Sequence, residues 1–270
     1  MPPEVKSNAE QDGSERSFRG FLGLLSFSTI LPLNIHTSIK EMVRFTWLWP
    51  VIGGFIGIFV GVTGFVLMNI FTIHQLVAAA LIYSFAIWFT GFHHLDGLID
   101  FGDGLMAHGD PQRRVEVMRD QRIGTGGLAY FFMVAIITFA SIGSAPAGLI
   151  FPLLFVSEMA AKVGIVTCST FSNPLPDGTG KFFIEAMNIK LLLLSLLITL
   201  AIGFIAFNTS GILGIMGGLL GGAFMAIVAN KKFKGATGDI LGASNEISKM
   251  IALVIMTTFS TGVIPWKLMF

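Results

Sequence analysis

The sequence predicts an all-α, polytopic bundle of about seven membrane-crossing helices, preceded by one shorter apolar segment. Three observations carry that prediction. Hydrophobic residues make up 53% of the 270 and charged residues only 12%. Mean hydropathy is +0.78, far above what a water-soluble domain needs. The apolar runs are also long enough for helices, which need about 20 residues to cross the hydrocarbon where a strand needs about ten.

Taken in order, residues 1–17 (MPPEVKSNAEQDGSERS) are polar and lack the apolar core of a signal peptide, so a solvated, uncleaved tail is expected there and no fold is assigned to it. The remainder, 18–270, is expected to be a single transmembrane catalytic domain. Segment 18–34 (FRGFLGLLSFSTILPLN) has Arg19 near its start and Pro32 near its end. Crossing the bilayer and lying along its interface both stay open for it. Seven windows then meet the length requirement: 46–71, 76–95, 127–148, 149–171, 190–208, 211–230 and 247–265. Lys and Arg fall on alternate connections: Arg19, Lys40 and Arg44; Arg113, Arg114, Arg119 and Arg122; Lys181 and Lys190; Lys231, Lys232 and Lys234. The intervening connections near 72–75, 144–148 and 208–210 have none, which predicts a cytoplasmic amino terminus and cytoplasmic polar loops in a multi-pass cell-membrane protein.

The formal charge of +1 leaves no basic surplus for nucleic acid, which is not an expected partner. The one cysteine, Cys168, forms no internal disulfide and sits in an apolar run as a packing residue. Glycines recur four apart at Gly53, Gly57 and Gly61 and at Gly214, Gly218 and Gly222. Small residues at that spacing let helix backbones approach closely, either inside one bundle or at a homo-oligomer seam.

Six of the sixteen acids lie between 96 and 120. If the second helix continues past His94, Asp96, Asp100 and Asp103 stand at i, i+4 and i+7, three carboxylates on one stripe. Their repulsion calls for a cation, and an all-oxygen donor set suits Mg²⁺ or Mn²⁺ better than zinc. Downstream, Asp110 and Pro111 make a helix start, and Arg119 and Arg122 lead into a glycine turn where guanidinium forks suit phosphate. A second polar cluster, KKFKGATGDILGASNEISK at 231–249, offers Asp239 and Glu246 on one helical face, with Thr237 and Asn245 as hydrogen-bonding partners. Two such clusters on one membrane face can enclose metal ions and a diphosphate for in-line displacement. Glu158 and Lys162 stand i, i+4 within the fourth span and are expected to neutralise each other.

HLDGLID (His94 to Asp100), DGL (Asp103 to Leu105), MRDQRIG (Met118 to Gly124), TGDILGASNE (Thr237 to Glu246) and WLWPVIGGFIG (Trp47 to Gly57) together resemble the cobalamin synthase family, also called adenosylcobinamide-GDP ribazoletransferase or cobalamin-5′-phosphate synthase. The resemblance runs over most of the chain. It implies a Mg²⁺-dependent membrane enzyme that joins adenosylcobinamide-GDP to α-ribazole or its 5′-phosphate and releases GMP. Carried onto these residues, it makes Asp96, Asp100, Asp103 and Asp239 metal ligands, and Arg119, Arg122, Thr237, Asn245 and Glu246 substrate-binding groups. Asp103 is the candidate base, with His94 and Glu246 as rivals. The chain departs from the family pattern at Phe92, where a second Gly is usual, at Ile30, where Arg is usual, and at Glu158, where a basic residue is expected. A CDP-alcohol phosphotransferase would need DG-x-x-AR, which Asp96-Gly97 does not begin. A divalent-cation transporter would place its carboxylates at mid-membrane instead of beside loop arginines.

Overall fold

The computed structural model describes residues 19–176 and 178–260, and every regular element among them is helical. The predicted tail at 1–17 lies outside the described residues. Helix α1 covers 19–28 and the chain is non-helical from 31 to 38, so segment 18–34 is not one continuous helix. Trp49 Nε1 donates to Ser28 Oγ at 2.8 Å and ties α1 to the start of α3, the helix Trp49–Phe65. The short α2, Ile39–Met42, is held by a capping box in which Glu41 accepts from the Ser38 backbone N–H.

The remaining helices are α3 (Trp49–Phe65), α4 (Gln75–Phe89), α5 (His93–Met106), α6 (Pro111–Met118), α7 (Thr125–Ser144), α8 (Ile150–Phe171), α9 (Gly180–Glu185), α10 (Ile189–Val228) and α11 (Gly238–Ser260). Among the described residues five helical stretches are long and apolar enough to cross a membrane, or six if the bent pair α4–α5 counts as one. One of the five, Ile189–Phe233, is 45 residues long, well beyond the thickness of a bilayer. It breaks at Phe207 (φ −147°) and Asn208 (φ 47°). A Cβ on Gly203 would lie 3.1 Å from Ile215, and Gly211 lies against the Gly203 carbonyl, contacts that only a reversal of the chain allows. The break falls between the windows 190–208 and 211–230.

Two expectations change. The second span does not run on past His94: α4 ends at Phe89, and Gly91 (φ +66°) and Phe92 (φ +63°) turn the chain through 93° into a separate helix. The last helix begins at Gly238 instead of 247, so the polar stretch GDILGASNEISK is the first half of α11. Tertiary packing overrides the weak helical propensity of this polar stretch, since Ser244, Asn245, Glu246, Ser248 and Lys249 are all buried.

Helix α8 is the centre of the bundle. Gly57 and Gly61 of α3 press on it, a Cβ at Gly57 falling 2.7 Å from the Phe155 carbonyl oxygen. Gly218 and Gly222 of α10 abut the Ala160 and Gly164 carbonyls from another side. Of the two readings of the glycine runs, the structure bears out packing within the chain, with α8 filling both faces. Cys168 is a buried residue of α8.

Candidate active site

The 93° turn carries α5 away from the direction of α4 and lays it across the amino-terminal ends of α11 and α7. Gly97 permits the crossing with α11, because a Cβ there would lie 2.6 Å from the Asp239 carbonyl oxygen. Gly102 does the same for α7, with Tyr130 Cβ at 2.7 Å and the Gly127 Cα at 3.0 Å. Leu98 and Phe101 anchor the inner face of α5, leaving Asp96 exposed and Asp100 and Asp103 partly buried. The predicted stripe therefore forms, on a helix of its own, and the α5–α11 crossing adds Asp239 to it. Asp96, Asp239 and Asp103 crowd the partly buried Asp100 carboxylate.

Asp103 is engaged with the backbone. Its carboxylate accepts from Gly124 N at 2.7 Å and from Gly127 N at 2.8 Å, capping α7. The same contacts explain the glycines of that turn, since side chains at either position would run into the Asp103 carboxylate.

Arg119, the residue at the carboxyl end of α6, lines a cavity of about 180 Å³ together with Gly178, Thr179, Thr237, Gly238 and Asp239. It also lines a larger groove of about 330 Å³ with Val115, Leu175, Pro176, Phe233 and Lys234. Arg122 is elsewhere. Its guanidinium forks onto Asp120 at 3.1 and 2.8 Å, and those hydrogen bonds hold the Asp120 carboxyl down at about 2. Arg113 pairs with Glu116 at 3.1 Å, and Arg114 donates to the carbonyls of Gly104 and Leu105 at the end of α5. Asp110 caps α6 by accepting from Arg113 N at 2.8 Å, with Pro111 at the first helical position.

His94, Asn245 and Glu246 lie deeper, in a buried polar network. Lys162 Nζ is 3.0 Å from His94 Nε2 and donates to Asn245 Oδ1 at 2.8 Å. Asn245 Nδ2 donates in turn to Glu246 Oε1 at 2.8 Å. Lys249 closes the network, 3.1 Å from Glu246 and 3.3 Å from Glu158. Glu158 thus pairs across to α11, while Lys162, expected as its partner, turns to His94 and Asn245.

Whether these residues fit a divalent cation can be judged from the donors. No three His, Cys, Asp or Glu side chains among the described residues stand close enough together to hold a metal ion as a closed cage. Mg²⁺ does not require one, because it keeps several waters and is bound through one or two carboxylates plus substrate phosphates. The crowded carboxylates of α5 and α11 beside the Arg119 cavity fit that mode.

Sequence reasoning passed over Thr179 and its glycine neighbours, although the run DGTGK at 177–181 is a glycine-flanked polar loop between apolar helices. It also passed over the roles of Lys162 and Lys249, which only packing reveals.

The residues brought together here come from distant parts of the chain, and known proteins share that whole extent. The adenosylcobinamide-GDP ribazoletransferase of Methanosarcina barkeri (strain Fusaro) is 31% identical over 259 residues, 89% of this chain and 91% of the relative. That of Methanococcoides burtonii is 29% identical over 248 residues, covering 88% and 91%. That of Thermococcus kodakarensis is 36% identical over 171 residues, covering 63% and 72%. No solved structure matches the chain. The family model of cobalamin-5-phosphate synthase matches residues 20–257, from α1 through the α5 carboxylates and the Arg119 turn into α11, and the chain belongs to that family.

Proposed function

We propose that this membrane protein transfers the cobinamide-phosphate of adenosylcobinamide-GDP onto α-ribazole or its 5′-phosphate, releasing GMP. The observation that carries the reading is the cavity in which Arg119, Thr237 and Asp239 meet beside the Asp96 and Asp100 face of α5. The ribose 3′-hydroxyl of the acceptor forms the new O–P bond at the phosphorus attached to cobinamide, and the bond from that phosphorus to GMP breaks in line. Arg119 holds phosphate oxygens with its planar fork. One or two of the carboxylates Asp96, Asp100 and Asp239, together with substrate phosphates, would hold Mg²⁺, which would supply neutralisation of the diphosphate charge. Asp239 lines the cavity and is assigned to accept the proton of the entering hydroxyl. Asp103, with its carboxylate given to α7, positions the turn that leads from Arg119. Arg122, paired with Asp120, is assigned to the surface, and Asn245 and Glu246 to support of α11 from within.

The arginine and lysine alternation supports a cytoplasmic position for this site. Single cysteines at Gln112 and Lys232, both exposed, should react with impermeant reagents from the cytoplasmic side only. The activity is tested by supplying purified protein with adenosylcobinamide-GDP, α-ribazole and Mg²⁺ and reading adenosylcobalamin and GMP by mass spectrometry. Absence of both products, or uptake of Mg²⁺ into vesicles without GMP release, would overturn the reading.

A further inference from the structure

We infer that an aromatic slot adjoining the Arg119 cavity receives the flat heteroaromatic base of the acceptor nucleoside, an assignment that rests on the reaction proposed above. The slot is walled by Phe27 of α1, Trp49 of α3, His93 and His94 of α5 and Phe183 of α9. Thr179 and Gly238 line both the slot and the cavity that holds Arg119 and Asp239. A nucleoside seated with its base in the slot therefore has its sugar at the mouth of the phosphate cavity, where its hydroxyl must act.

The walls define the base. Trp49 and Phe183 lie 4.8 Å apart between ring centroids and Phe27 and Phe183 5.6 Å apart. Phe27 and His93 are parallel to within 4° at 6.2 Å, so a ring laid flat on one is parallel to the other. The Trp49 N–H is already given to Ser28. Among the buried side-chain polar atoms of these walls, the one without a partner belongs to His94, which is only 9% exposed. An ammonium offers donors only, so Lys162 donates to His94 Nε2 and the ring hydrogen sits on Nδ1. That Nδ1 is buried and without a partner.

A stacking, largely apolar slot with one buried unmet donor suits a flat bicycle whose ring carries one acceptor nitrogen, which is the chemistry of a benzimidazole. Guanine, the other base in the reaction, carries donors and acceptors on several edges that these walls would leave unmet. The slot holds about 70 Å³, less than a bicyclic base fills. Phe27, 42% exposed, is the wall free to swing aside as the ring enters. His94 is on this assignment a binding residue, not a proton carrier.

The test uses the full chain in nanodiscs and two probes, ribosyl benzimidazole and ribosyl indole, the second lacking the acceptor nitrogen. In equilibrium dialysis without the corrinoid substrate, Phe27→Ala should weaken ribosyl benzimidazole binding by about tenfold, as loss of one stacking wall does. Phe27→Leu keeps the apolar volume and should show a similar loss. The unaltered chain should prefer the benzimidazole probe to the indole probe, and His94→Phe should remove that preference. In turnover, Phe27→Ala should raise KM for α-ribazole and leave KM for adenosylcobinamide-GDP within about twofold. The assignment is overturned if the unaltered chain binds neither probe, if the variants bind both as it does, or if the affinity lost is for GMP. Loss of ribosyl benzimidazole binding as stated, with no GMP released from any substrate pair, would leave the slot standing and remove the proposed reaction instead.

Discussion

Substituting Asp103 separates a positioning role from a chemical one. Its carboxylate accepts two backbone amides, Gly124 N at 2.7 Å and Gly127 N at 2.8 Å, at the amino terminus of α7. Hydrogen bonds to a charged acceptor contribute about 1.5–3 kcal/mol each, and a negative charge at a helix amino terminus adds about 0.3–1 kcal/mol. Asp103→Asn keeps one neutral acceptor and turns an NH₂ toward the other amide. The net loss is then about 2 kcal/mol. Titration with SDS in mixed micelles should show that loss, and hydrogen exchange should show faster opening at Gly124 and Gly127 than elsewhere in α7. Turnover should fall by less than about tenfold, because the group takes no proton from substrate. Gly127→Ala should reproduce the effect from the other side, its Cβ falling 2.7 Å from Asp103 Oδ2 and 2.6 Å from the Ile99 carbonyl oxygen. An Asp103→Asn protein of unaltered stability whose turnover falls by about a thousandfold would refute this account and restore Asp103 as the base.

Asp100→Asn and Asp239→Asn should each lower turnover by about a thousandfold, and the double variant should be little worse, since groups acting as one unit are non-additive; near-normal turnover of Asp239→Asn would separate α11 from the site. Lys249→Met should cost about 3–5 kcal/mol in the same SDS titration, because it leaves the buried carboxylates of Glu158 and Glu246 without their cation; an unchanged midpoint would show that the network carries no such dependence. Phe92 holds a left-handed backbone at φ +63° with its side chain 53% exposed. Phe92→Gly should therefore leave stability unchanged or raise it by about 1 kcal/mol, and a clear loss in SDS titration would contradict the strain.

Local signals were sufficient for much of this protein. Apolar length specified helices at 127–148 and 149–171 to within a few residues of α7 and α8, because an uninterrupted run of that length in lipid has no other way to satisfy its backbone. The i, i+4, i+7 spacing of Asp96, Asp100 and Asp103 specified their common face, and Asp110-Pro111 specified the start of α6, since caps and periodicity are properties of adjacent residues. The motifs also carried the family. What followed only from the tertiary structure concerns pairing between distant segments. Gly91 marks a helix stop, but the sequence does not announce that Phe92 also turns left-handed to complete a 93° turn, because a non-glycine residue takes that conformation only when its surroundings compensate the strain. Lys162 has Glu158 one turn away, yet its choice of His94 and Asn245 depends on how α5 and α11 cross α8. Asp103 reads in sequence like its two neighbours on the stripe, and only the arrival of the α7 amide groups converts it from a free carboxylate into a helix cap. Phe27, Trp49 and Phe183 are indistinguishable in composition from lipid-facing aromatics. Their meeting beside Thr179 arises from packing among α1, α3 and α9, which no local pattern encodes.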